Sequence, residues 1–369
     1  MLRKGTFILM KTKIQDMTSG SPGRLIILFA IPLMLGNICQ QLYTMVDTMV
    51  VGQVAGVEAL AALGAVDFLM WVVTGISTGL TQGFSIQLSQ YYGAKDFENL
   101  RKSLAHSYRL TAFIAAGVLI LSQSFASLVL TGLHTPSNII GMSLLYLRII
   151  FCGIPATAAY NMFASALRAM GNSKTPLTAM IIASALNVSL DILFVAGFGW
   201  GVAGAAIATV IAQSFSAVYC FLILRRIDIV HLTRADFMPA SGMNARLMKL
   251  GIPVVFQNII IGVGGLVVQY VINGYGFLFV AGFTATNKLY GLLEMAAISY
   301  GYAIVTYVGQ NLGAGKIDRI RKGVRSSMLL SLLTSLIISA AMFLFGKNIL
   351  SLFISGEPQQ TQQVLAIAF

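Results

Sequence analysis

Long apolar runs, each ended by a short polar or basic stretch, recur along the whole chain. A bilayer core about 30 Å thick takes about 20 apolar residues as helix. Lipid offers no partner to an unpaired backbone group, and these runs exceed the roughly 10 residues of a barrel strand, so they predict helices. Nine full spans follow, over 25–51, 60–90, 104–130, 139–166, 176–197, 202–224, 247–272, 279–311 and 324–345, and a tenth begins near Gln362 and is cut off at Phe369. Residues 1–23 hold Arg3, Lys4, Lys11 and Lys13 around the patch Phe7-Ile8-Leu9-Met10, which is too short for the hydrophobic region of a signal peptide.

Composition agrees. Hydrophobic residues are 57% of 369 and charged residues 10%, with a mean hydropathy of +0.82. An average soluble protein carries about 25% charge, and this chain lacks the charged shell that a soluble fold of its size needs. The three cysteines, Cys39, Cys152 and Cys220, each lie inside an apolar run, which excludes a disulfide scaffold. The three histidines form no spaced cluster with them, which argues against zinc. The chain is an all-α polytopic membrane protein.

A net charge of +12 raises nucleic acid as a partner, but the placement of the charges dismisses it. Alternate connections, 1–24, 91–109, 167–175, 225–249 and 312–325, hold 21 of the 24 Lys and Arg. Lys347 is the one base in the opposite set, and Arg148 and Lys288 lie within spans. This is the positive-inside pattern of a plasma-membrane protein, here a bacterial cytoplasmic membrane, with a cytoplasmic N-terminus.

An internal repeat supports that order. Ile31-Pro32 to Gly36-Asn37 returns as Ile252-Pro253 to Gln257-Asn258, and Gln90-Tyr91-Tyr92-Gly93-Ala94 returns as Gln310-Asn311-Leu312-Gly313-Ala314. The offsets are 221 and 220. An even number of spans separates the copies, so the halves are parallel, as in secondary transporters. The organisation expected is a cytoplasmic segment 1–24, a first lobe 25–224 of six spans, a linker 225–246 and a partial second lobe 247–369. Carried forward, the repeat would end near residue 445, so most of a tenth span and all of an eleventh and twelfth are expected to lie beyond Phe369.

An ionisable group in the membrane costs about 2.5–3.5 kcal/mol on insertion scales and marks function. Asp47 lies near the outer end of the first span, and Asp191, with Asn187 one turn below it, near the outer end of the fifth. Thr209 enters the sixth at the same depth. Two carboxylates, an amide and a hydroxyl at one level suit Na⁺ or a shared proton, and the alternative is two acids facing water near helix ends. Asp67 reads as a solvated helix end. Asn37, Gln40, Gln82, Asn258 and Glu294 are candidates for a substrate cavity. The inner half of the second span is polar, which suggests a water-filled path or a protruding helix. Pro32, Pro155 and Pro253 interrupt spans one, four and seven and are candidate hinges or static kinks. The repeat sets Val268 opposite Asp47 and Thr74 opposite Glu294, so coupling chemistry is not duplicated. No phosphate-binding loop and no nucleophile–base set emerges, so no enzyme is expected.

The stretch Leu167-Arg168-Ala169-Met170-Gly171-Asn172-Ser173-Lys174-Thr175-Pro176, then Asn187 to Phe194, then Gly201-Val202-Ala203-Gly204-Ala205-Ala206-Ile207-Ala208-Thr209, resembles the multidrug and toxic compound extrusion (MATE) family. The similarity covers essentially the whole chain. It implies two six-helix lobes and a monomeric antiporter that exports organic cations in exchange for Na⁺ or H⁺, with no other cofactor. The family's cation site matches Asp47, Asn187, Asp191 and Thr209, which would be the Na⁺ ligands in a sodium-coupled member. A carboxylate that some members carry on the seventh helix has no counterpart between Pro253 and Ile272. Rival readings are a lipid-linked oligosaccharide flippase of the same superfamily, for which the embedded bases are few, and a non-functional truncated remnant.

Overall fold

A computed structural model describes residues 14–133, 135, 137–273 and 277–351, and all regular structure among them is helical. The α-helices are α1 (Pro22–Val54), α2 (Val57–Gly93), α3 (Phe97–Gly132), α4 (Ile140–Cys152), α5 (Ile154–Ala169), α6 (Lys174–Asp191), α7 (Gly201–Leu224), α8 (Met243–Asn273), α9 (Phe277–Gly313) and α10 (Ile317–Ser351). A π turn, Ile192–Gly197, extends α6, and two 3₁₀ turns, Asp228–Val230 and Arg234–Phe237, lie in the linker. The tenth span expected from Gln362 falls outside the described residues, as does the side chain of Lys288.

Among the described residues, seven helices are long and apolar enough to cross a membrane, and the bent pair α4–α5 makes an eighth span. One expectation changes. The single span over 139–166 is two helices meeting at 46°. Gly153 sits at the break, where a methyl would stand 2.7 Å from Val210 Cγ2 on α7, and Pro155 opens α5, where a missing N–H costs nothing. The span over 279–311 is present as α9, 37 residues long, and its Ser299, Thr306, Gln310 and Asn311 are buried.

Helices α1 to α7 form the first lobe, with α5 on α2 and α7, and α6 between α1 and α7. Helices α8 to α10 form what is described of the second. The lobes meet along α2–α8, α2–α9 and α1–α9. Gly75, Gly79 and Gly83 lie four apart on one face of α2. A methyl on Gly79 would stand 2.9 Å from Val255 Cα, and one on Gly83 would overlap Gly251 Cα. Farther along, a methyl on Gly262 would meet the Trp71 ring at 2.9 Å. The two backbones touch because no side chain separates them.

The internal repeat is visible in this interface. A methyl on Gly93 would overlap the Gln310 carbonyl, and one on Gly313 would overlap the Gln90 carbonyl, two contacts exchanged by the 220-residue offset. Asn37 Nδ2 donates to Ser299 Oγ at 3.1 Å, and Asn258 Nδ2 donates to the Gly75 carbonyl at 3.0 Å. With the lobes in this arrangement, the polar inner half of α2 packs largely inside the protein. Thr81, Ser85, Gln87 and Ser89 are buried, and the three hydroxyls donate back to carbonyls of their own helix. The lobes therefore close at one end of the bundle, which carries Lys95, Arg168, Lys174, Lys316 and Arg319 and is called the basic end below.

Gly83→Ala forces α2 from α8 and is expected to destabilise the protein by about 1–3 kcal/mol, as overpacking does. Gly64→Ala, whose methyl would meet nothing within 4 Å, serves as the neutral comparison. Thermal unfolding of the two variants in detergent measures the difference.

Candidate cation site

Helix α6 packs on α1 and α7 together, and this three-helix contact brings the polar positions into one place. Asn187 and Asp191 are four apart and share a face. At Asp191 the helix widens into the π turn, a feature common at functional sites. That turn is fixed on both sides. Phe194 stacks on Phe198 and Trp200 with centroids 5.9 and 5.1 Å apart, and a methyl on Gly204 of α7 would stand 3.0 Å from Phe194 Cβ. The glycine of the GAAxAT stretch thus lets the π turn rest on α7.

The acids are deeply set. Asp47 is 5% exposed, and Asn187 and Asp191 are 0% exposed. Asn187 Nδ2 donates to Thr209 Oγ1 at 3.4 Å. Asp47 Oδ1, Asn187 Oδ1 and both carboxylate oxygens of Asp191 are buried with no hydrogen-bond partner. Asp47 acts electrostatically on Asp191, and Asp67, itself exposed, acts on Asp47. Buried polar atoms are nearly always paired, and a buried carboxylate without a partner is costly. Four acceptor atoms facing no donor form a place for a hard cation or a proton. Among the described residues, no group of three or more His, Cys, Asp or Glu is placed to hold a metal, so any cation here relies on amide and hydroxyl oxygens as well.

Three neighbours were not singled out in the sequence. Tyr43 lies one turn below Asp47, and Gln213 one turn below Thr209. Gln213 Nε2 donates to the Tyr43 hydroxyl at 3.4 Å, and Gln213 Oε1 is a fifth buried acceptor without a partner. Tyr146 of α4, buried, lies within electrostatic reach of Asp47, Asp67 and Asp191. The four-residue spacing from Asp47 and from Thr209 is the signal that points to the first two. Tyr146 carries no such signal.

The remaining candidates lie elsewhere. Asn37 and Asn258 serve the lobe interface. Gln40 is exposed and adjoins Tyr43, Gln82 is half-buried, and Glu294 is exposed on α9. Pro32 and Pro253 sit inside continuous helices, whereas Pro155 stands at the 46° break. Arg148 is exposed on α4, where its carbonyl accepts a hydrogen bond from Gln123.

The MatE family model matches residues 32–193 and 253–369. The probable multidrug resistance protein YpnP of Bacillus subtilis is 31% identical over 94% of this chain and 77% of its own length. The probable multidrug resistance protein NorM of Thermotoga maritima is 26% identical over 90% of the chain and 72% of its own. Among solved structures, a MOP superfamily transporter from Pyrococcus furiosus superposes with a TM-score of 0.90 at 23% identity, covering 97% of this chain and 79% of that one. A multidrug resistance MATE family transporter in an outward-facing conformation gives 0.89 at 22% identity, over 97% and 80%.

Asp191→Asn removes a buried charge while preserving shape. Measured at high pH without added Na⁺, its thermal midpoint is expected above that of the unsubstituted protein, by the equivalent of about 1–3 kcal/mol for one unsatisfied buried polar group. Differential scanning fluorimetry of the purified proteins measures it.

Proposed function

The chain belongs to the MatE family, and from that premise we propose that it is a secondary antiporter exporting cationic amphipathic compounds in exchange for Na⁺ or H⁺. The observation that carries the reading is the set of orphaned acceptors around Asp47, Asn187 and Asp191. They are buried within one lobe, and a membrane protein retains such atoms where a positive charge visits them. The names of the relatives, multidrug resistance and export proteins, point to amphipathic drugs as cargo.

In this reading the basic end faces the cytoplasm, supported by the 21 of 24 Lys and Arg in alternate connections. The arrangement described here, with the lobes closed at that end, is then the state open to the outside. A cation enters from the open side and exchanges hydration water for Asp47 Oδ1, Asn187 Oδ1, the Asp191 carboxylate and the Thr209 hydroxyl. Tyr43 and Gln213 form the floor below. Bound charge cancels the repulsion between the two acids and lets α1 and α6 approach. The ion shifts the lobe equilibrium only as far as it prefers one state, and a cationic drug drawn to the same acids competes with it.

Ethidium efflux from proteoliposomes, with Na⁺ and proton gradients imposed separately, tests this. One gradient is expected to drive efflux, and Asp47→Asn to abolish it while expression persists. Efflux unchanged in Asp47→Asn would remove that residue from the mechanism. Absence of efflux under both gradients, from folded protein, would favour a lipid-linked cargo instead.

A further inference from the structure

The ten-residue motif 167–176 and the segment before α1 share a feature that transport at Asp47 does not use. Residues 15–20, outside any helix, lie across both lobes at the basic end. On the first lobe, the Gln15 N–H donates to the Gly171 carbonyl at 3.1 Å. Gly171 has φ +90°, and a methyl on it would overlap the Gln15 carbonyl, so the motif's glycine is where this segment rests.

On the second lobe the segment is held by side chains. Met17, 0% exposed, donates its N–H to Gln310 Oε1 at 3.0 Å and accepts Asn311 Nδ2 on its carbonyl at 2.9 Å. Lys316 Nζ donates to the Thr18 carbonyl and Arg319 Nη1 to the Gly20 carbonyl, both at 2.9 Å. Gln310 Nε2 completes the bridge by donating to the Ala169 carbonyl at 2.9 Å, back in the first lobe.

The repeat supplies a counterpart. Residues 234–242 stand before α8 as 15–20 stand before α1, and Met238 corresponds to Met17 at the 221-residue offset. Gly20 and Gly242, each just before the helix, have φ of +92° and +73°. The segment leading into the second lobe is held by α3 of the first: Arg109 Nη1 donates to the Phe237 carbonyl at 2.9 Å, and His106 Nε2 lies 3.1 Å from the Met238 carbonyl. Arg101 stands 3.7 Å from Asp236. Each lobe's leading segment is thus gripped by the other lobe.

We propose that these crossed segments are a releasable clasp, and that the lobes part at the basic end only when residues 15–20 let go of α9 and α10. Every bond that holds residues 15–20 to α9 and α10 joins a strap backbone group to a side chain. The strap can therefore detach without unwinding a helix. The inference goes beyond the antiport reading, and its test does not depend on efflux.

The test measures distance. In a background with Cys39, Cys152 and Cys220 replaced, spin labels at Arg226→Cys and Lys322→Cys, one per lobe at the basic end, report separation by double electron–electron resonance in nanodiscs. Arg319→Ala is expected to raise the ratio of separated to closed lobes about tenfold, equivalent to about 1.4 kcal/mol. Arg319→Lys is expected to fall between, and Arg321→Ala, exposed and away from the strap, to leave the ratio unchanged. If Arg319→Ala does not fold, Lys316→Ala decides, because it removes the hydrogen bond to the Thr18 carbonyl from an exposed side chain of the second lobe. An unchanged distance distribution in the deciding variant overturns the clasp, whether or not the protein transports ethidium.

Discussion

Two helices that touch backbone to backbone set the terms for the rest of this protein. Lipid supplies no hydrophobic force between helices, so association in a membrane rests on close van der Waals contact and on hydrogen bonds across the interface. Gly75, Gly79 and Gly83 give α2 a face without side chains, and α8 lies in it. The same helix ends against α9 through Gly93 and Gln310, with Gly313 and Gln90 as the mirrored pair. These contacts are graded toward the basic end, where no side chain spaces the helices apart. Farther from it, the Trp71 ring of α2 packs against Gly262 of α8.

Much of this was legible in the sequence because the bilayer leaves few options. Apolar run length, the alternation of basic connections and the two repeated motifs fixed the helices, their order and the two-lobe plan. The repeat proved to be an interface signal, since Asn37, Asn258, Gly93 and Gly313 all lie where the lobes meet. What hydropathy could not show was backbone detail inside a span. The 46° break at Gly153 and the π turn after Asp191 keep an apolar composition, and so look like continuous helix. The polar half of α2 is ambiguous in sequence for a related reason. Hydroxyls that bond their own helix look in a sequence like hydroxyls that line water.

The site was legible in its acids and amide and less so in its surroundings. Depth alone grouped Asp47, Asn187, Asp191 and Thr209, because residues at one level on neighbouring helices have few ways to avoid each other. Tyr146 could not be found this way, since it arrives from α4 through a tertiary contact that no spacing encodes. The asymmetry between lobes has a physical reading. Val268, the counterpart of Asp47, is 48% exposed and apolar. Among the described residues, the buried carboxylates without a hydrogen-bond partner, Asp47 and Asp191, both lie in the first lobe.

A symmetric frame with asymmetric chemistry needs a link between the two, and the basic end supplies one. Interfaces are bistable when their contacts exchange as a set. The glycine contacts favour closure by shape and take no part in charge. The segment at Gln15–Gly20 rests on Gly171, three residues before α6 begins at Lys174, and α6 carries Asn187 and Asp191 at its other end. One helix thus joins the strap's support to the two polar groups. Helix α6 is a rigid rod of 18 residues, and at about 1.5 Å per residue it spans most of the membrane without a joint until its π turn. The joint lies directly after Asp191. The stiff end meets the strap, where a small movement must be transmitted without loss.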